Sequence, residues 1–136
     1  QVNDAHGHEA GDSVLTHVAR LLSERGFAGR LGGDEFALWI SGDSASAEAA
    51  AGSLVEAVEA AFEEAPYSVG ISVGIAPAPD CGTAPAELLR SADRALYEAK
   101  AAGRNRAESG EVGDRSAIDD KAFEIVVIVL ALDLVQ

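Results

Sequence analysis

Apolar positions along the chain fall into two periods. Val14, Leu15, Val18, Leu21 and Leu22 lie on one stripe at helical spacing. Leu54, Val55, Val58, Ala61 and Phe62 repeat it, and Leu88, Leu89, Ala92, Leu96 and Ala99 form a third stripe. Each stripe predicts an amphipathic helix. Asp12 or Ser13 is the expected cap of the first helix, and Gly103 the expected stop of the third. Strands are predicted between the helices. Phe27 to Leu31 and Glu35 to Ile40 flank Gly32-Gly33, the pattern of a hairpin with a glycine turn. Tyr67, Val69, Ile71, Val73 and Ile75 alternate with Ser68, Gly70, Ser72 and Gly74. Period two with small residues on one face implies a strand over which a helix packs closely.

From Arg104 to Asp120 the chain is polar and rich in Gly, Ser and charge, which predicts a strand end followed by a linker. Ile125-Val126-Val127-Ile128-Val129-Leu130-Ala131-Leu132 follows, an apolar run suited to a central strand buried on both faces. The predicted order is α-β-β-α-β-α-(short β)-linker-β, with no internal repeat. It divides as a domain over 1–105, a linker over 106–120 and a C-terminal strand within 121–136 that completes the sheet.

A chain of 136 residues can bury one ordinary core. With 10 basic against 23 acidic side chains, net −13, it is not a general binder of nucleic-acid backbones. A small anionic ligand stays open, given a metal or a few local cations. The one cysteine, Cys81, cannot form an internal disulfide, so nothing points to an oxidising compartment and a cytoplasmic location is expected. The apolar run ending at Leu132 is far short of the ~20 residues of a membrane span, so no membrane contact is expected from this segment. The chain opens at Gln1 without Met and with no signal-peptide pattern, as expected of a fragment or an engineered chain.

Gly32-Gly33-Asp34-Glu35-Phe36 carries the sharpest chemistry. Two glycines let a backbone turn tightly or approach a phosphate. Two adjacent carboxylates suit a hard cation such as Mg²⁺. The plain alternative is a hairpin turn with solvated acids.

The wider context favours chemistry. Asn3-Asp4-x-His6-Gly7-His8-x-x-Gly11-Asp12 precedes the first helix, and Arg30-Leu31 precedes the glycines. Ser72-Val73-Gly74-Ile75-Ala76 follows the second helix. Asp93-Arg94-Ala95-Leu96-Tyr97-Glu98-Ala99-Lys100-x-x-Gly103-Arg104-Asn105 closes the third. Together these resemble the GGDEF family of diguanylate cyclases, from Gln1 to about Asn105.

The resemblance implies an α/β (α+β) nucleotidyl-cyclase-like fold, with a ferredoxin-like core and a mixed, antiparallel-rich sheet flanked by helices. It implies condensation of two GTP into cyclic di-GMP with release of two pyrophosphates. The reaction would be Mg²⁺-dependent, with two ions per site and Mn²⁺ as a substitute, and would need a homodimer in which two domains face each other. An upstream sensory domain is expected in the full-length protein.

Site roles follow from the resemblance. Asn3, His8 and Asp12 match positions that contact the guanine and sugar end. Gly32 and Gly33 match the substrate-binding turn. Asp34 matches the metal-binding carboxylate that helps deprotonate the attacking hydroxyl, and Glu35 a second acid that supports the other metal. Lys100 and Arg104 match the pair gripping the terminal phosphates. Plainer alternatives stand beside these: a helix cap for Asp12, a ligand-free loop histidine for His8, and a helix terminus complementing its dipole for Lys100 and Arg104. His6, His17 and Cys81 match no role, and His17 is expected to face solvent.

The sequence departs from the family twice. The Arg-x-x-Asp motif at which product binds is absent from Ser23-Glu24-Arg25-Gly26-Phe27-Ala28-Gly29-Arg30, so no product inhibition is expected there. The leading helix and the central strand ending in Asp-x-Asp-x-Phe-Lys do not precede Asn3. Val127 to Leu134 resembles that strand, with Asp133 in the metal-binding place. A circularly permuted or strand-swapped sheet is therefore expected, without the family's lysine. A rival reading takes Ala117 to Ile125 as the start of an EAL-type phosphodiesterase domain. The alternatives to a cyclase are a non-catalytic GTP-binding module of the same fold and a permuted scaffold with little activity.

Overall fold

The computed structural model describes residues 8–42, 44–66, 68–78, 81–110 and 125–135. In chain order these form α1 (His8–Ser23), β1 (Phe27–Gly32), β2 (Glu35–Ser41), α2 (Ser44–Ala61), β3 (Ser68–Pro77), α3 (Pro85–Ala101), β4 (Ala107–Ser109) and β5 (Ile125–Val135). The fold is α+β, a mixed five-stranded sheet with helices on both faces.

The sheet order is β1-β2-β5-β3-β4. β5 lies at its centre, antiparallel to β2 from Glu35↔Ala131 to Ser41↔Ile125. On its other side it is antiparallel to β3 from Ser68↔Val135 to Pro77↔Val126. β4 pairs parallel to β3 at the edge. The apolar run of β5 therefore meets sheet neighbours on both sides and helices above and below.

Alternation along the strands divides the core in two. Val126, Ile128, Leu130 and Leu132 join Phe36, Leu38, Val69, Ile71, Val73 and Ile75 on one face. The stripes of α1 (Val14, Val18, Leu22) and α2 (Leu54, Val55, Val58) cover that face. Val129, Ala131 and Ala76 face the other way, against Leu88, Ala92 and Leu96 of α3. Each fully buried Leu or Ile contributes roughly 2 kcal/mol, so β5 is a main source of stability.

Small residues on β3 let α3 approach closely. A Cβ at Gly74 would lie 1.9 Å from the carbonyl oxygen of Ala92 and 2.4 Å from the Leu96 nitrogen. Pro85 starts α3 at a position where a missing N–H costs nothing. The Ala84 N–H donates to Oε1 of Glu87, 3.1 Å away.

Two expectations are corrected. Asp12 and Ser13 do not cap α1, which starts at His8 and carries both residues within it. Their intrinsic cap preference is outweighed by helix that begins before them. His17 is half-buried rather than solvent-facing, because its ring packs on Phe62 at 5.2 Å and 59°. The short strand expected before the linker is β4, and residues 111–124 of the predicted linker lie outside the described residues.

Candidate active site

The β1–β2 turn is a glycine device. Gly32 has φ +151° and Gly33 φ +50°, regions that L side chains avoid. A Cβ at either would meet nothing within 4 Å, so backbone conformation rather than crowding requires glycine. The same openness leaves the turn approachable by a ligand. Arg30 folds back over it, and its Nε donates to the Gly33 carbonyl at 2.9 Å. Asp34 is exposed at the tip and Glu35 is half-buried as β2 begins.

The turn is tied to the central strand. The Leu132 N–H donates to the Asp34 carbonyl at 3.1 Å, one step beyond the last ladder pair, Glu35↔Ala131. Asp133 follows Leu132 and pairs with Gly70 of β3. The backbones of Asp34 and Asp133 thus stand at one end of the sheet on neighbouring strands.

The end of α3 reaches the same place. Gly74 lies under Ala92 to Leu96, whereas Gly70 lies under Asn105, with Oδ1 of Asn105 2.8 Å from where a Cβ would be. The helix therefore runs against β3 and ends over Gly70, the partner of Asp133. There the Arg104 N–H donates to the Ala99 carbonyl at 2.9 Å. Arg104 and Asn105 both adopt positive φ, +65° and +48°. Left-handed backbone costs a non-glycine residue about 1 kcal/mol, so this turn is held by its surroundings. Three of the ten cationic side chains, Lys100, Arg104 and Arg106, fall within it.

On the other face, α1 and β1 enclose a groove of about 280 Å³ between Leu15, Thr16 and Ala19 and Gly29, Arg30 and Phe36. Asp12, exposed, lies one turn before Thr16.

The structure thus brings together the Gly32–Glu35 turn, the backbone of Asp133 and the Lys100–Arg104 turn. His8 opens α1, and Asn3 lies outside the described residues. Among the described residues no three His, Cys, Asp or Glu cluster as a metal site. Sequence reasoning noted Arg30 and Asn105 within the motifs but gave no role to either: Arg30 locks the turn and Asn105 bonds Glu59. Asn after a helix-ending glycine is a residue that tolerates positive φ, and that was its available signal.

The match to known families is decisive. Residues 1–106 match the family described as diguanylate cyclase, GGDEF domain. The chain belongs to this GGDEF family. It is 42% identical over 113 residues to an uncharacterized signaling protein of Caulobacter vibrioides, covering 76% of this chain and 14% of that protein. It is 40% identical over 116 residues to the probable diguanylate cyclase DgcC of Escherichia coli, covering 79% of this chain and 31% of that protein. It is 32% identical over 130 residues to the diguanylate cyclase TpbB of Pseudomonas aeruginosa, covering 89% of this chain and 30% of that protein. The chain thus spans less than a third of the length of these relatives. No solved structure gives a significant match. Among the described residues of this GGDEF domain no helix is long and apolar enough to cross a membrane.

Proposed function

We propose that this GGDEF domain is a diguanylate cyclase that condenses two GTP into cyclic di-GMP. The observation that carries the reading is the hydrogen bond from Leu132 to Asp34. It supports a site in which the turn carboxylates and Asp133 share one end of the sheet, beside the cationic end of α3.

In this reading two domains face each other in a homodimer, each holding one GTP. Asn3, His8 and Asp12 hold the guanine and sugar end. The open backbone at Gly32 and Gly33 lets the triphosphate approach, and Lys100 and Arg104 bind its terminal phosphates. The 3′-oxygen of one GTP forms a bond to the α-phosphorus of the other. The bond from that phosphorus to the bridging oxygen breaks, and pyrophosphate leaves. Asp34 accepts the proton of the attacking hydroxyl. The second ester bond forms in the same way with roles exchanged. Most of the acceleration comes from positioning and charge neutralisation.

The residues fit a divalent metal by chemistry. Asp34, Glu35 and Asp133 offer the hard oxygen donors that Mg²⁺ or Mn²⁺ prefer. The open face above Gly32 and Gly33 leaves room for substrate oxygens. When bound, the metal supplies charge neutralisation on the triphosphate and eases ionisation of the hydroxyl. We further propose that β5 acts as the strand that brings Asp133 to the site, and that a sensory domain accompanies this one in the cell, in the cytoplasm.

The test is turnover of GTP with Mg²⁺, products identified by mass. Cyclic di-GMP from the natural sequence and none from Asp34→Ala is the expected result. GTP binding without any product would select the non-catalytic module instead.

A further inference from the structure

The turn after α3 has two successive residues in left-handed backbone, and neither is glycine. Such a pair needs outside support. The Arg106 side chain and the backbone of β3 supply part of it. Arg106 Nε donates to the Arg104 carbonyl at 3.2 Å, and the Val73 N–H donates to the Arg106 carbonyl at 2.8 Å. The Asn105 side chain supplies more. Its Nδ2 donates to Oε1 of Glu59 on α2 at 2.9 Å, across 46 residues of sequence. Its Oδ1 rests over Gly70, where any Cβ would intrude to 2.8 Å. One amide thus joins α2, β3 and the end of α3, directly after Arg104.

We propose that Asn105 is a positioning residue: it fixes the left-handed turn that presents Arg104 to the terminal phosphates of the nucleotide. The inference rests on the cyclase reading, in which Lys100 and Arg104 grip those phosphates. In this proposal Asn105 acts through Arg104 rather than on the nucleotide. An amide is required because the side chain must donate to a carboxylate on one side while fitting its oxygen over a bare strand on the other. Aspartate is nearly isosteric, but it would set two carboxylates against each other at Glu59. Replacing Glu59 by glutamine would supply the missing donor from the opposite side.

The experiment compares affinities for GTP and GMP, with Mg²⁺ and by calorimetry, in the natural sequence, Asn105→Asp, Asn105→Asp with Glu59→Gln, and Gly70→Ala. Melting temperatures are taken alongside. GMP lacks the phosphates that Arg104 would hold. The natural sequence should prefer GTP. Asn105→Asp should lose about tenfold in GTP affinity, the scale typical of partners that orient a binding residue, with GMP affinity unchanged. The double variant should regain the preference. Gly70→Ala, which pushes on Asn105 without altering it, should lose the preference as Asn105→Asp does.

A purely structural staple would lower the melting temperature and weaken both nucleotides alike, or leave the GTP preference intact; either result overturns the inference. Failure of the double variant to recover overturns it too. If the natural sequence itself binds GTP no more tightly than GMP, the phosphate role of Lys100 and Arg104 falls, and the inference with it. That outcome is distinguishable because it appears before any substitution is made.

Discussion

The Leu132 N–H and the Asp34 carbonyl are joined by a 3.1 Å hydrogen bond that pins the tip of the β1–β2 hairpin to the centre of the sheet. The bond uses backbone only, so the Asp34 side chain is left exposed and available. Asp34→Ala should therefore leave the fold and its melting temperature nearly unchanged. Cyclic di-GMP formation should fall by at least about a hundredfold, the range for removing a proton-accepting group. Mass analysis of products over time checks this. Turnover that survived the change would remove Asp34 from the reaction.

The glycine turn gives a graded prediction. Gly33 sits at φ +50° in open space, so Gly33→Ala should cost about 1 kcal/mol of stability and Gly33→Asn less, since asparagine tolerates that region. Gly32, at φ +151°, lies where every side chain is strained. Its alanine variant should be the worse of the two. Chemical denaturation ranks the three.

Crowding rather than conformation governs Gly74. Its alanine variant must push the α3 backbone away from β3, at a cost of about 3 kcal/mol. Gly52 is the control. It lies exposed within α2 with nothing near its missing Cβ, so Gly52→Ala should stabilise by about 0.5–1 kcal/mol. Opposite shifts in melting temperature are expected.

Arg25 already has structural work. Its Nη1 donates to the Leu21 carbonyl at 2.8 Å, satisfying a free acceptor in the last turn of α1. Arg25→Ala should cost about 1 kcal/mol and leave cyclic di-GMP affinity untouched. Tight product binding that vanished in this variant would establish a product site the sequence does not reveal.

What could be read from sequence was whatever repeats locally. Val69, Ile71, Val73 and Ile75 alternating with small residues foretold both β3 and the close approach of α3, since the period and the side-chain sizes are visible in a short window. The start of α2 was less legible. Residues 45–51 are nearly all alanine and serine, and their weak contrast hides a stripe although Ala47 and Ala51 are buried. The start of α1 was missed because Asp12 and Ser13 have cap chemistry whether or not they cap. Within the site, the turn glycines and acids declare themselves by adjacency. The contact of Asn105 with Glu59 does not, because it depends on how α2 and α3 are laid on opposite faces of the sheet.

The position of β5 also governs how the chain can reach its native state. β2 and β3 are not neighbours; each finds its inner partner only in a segment that follows in sequence by dozens of residues. While the chain is being synthesised, the hairpin and β3 are complete long before the strand between them exists. Long loops must close before the central ladder yields any return, a topology that slows the rate-limiting step. Until then two apolar strand edges stand open, so the interval before β5 docks is when this sequence is most exposed to misassociation.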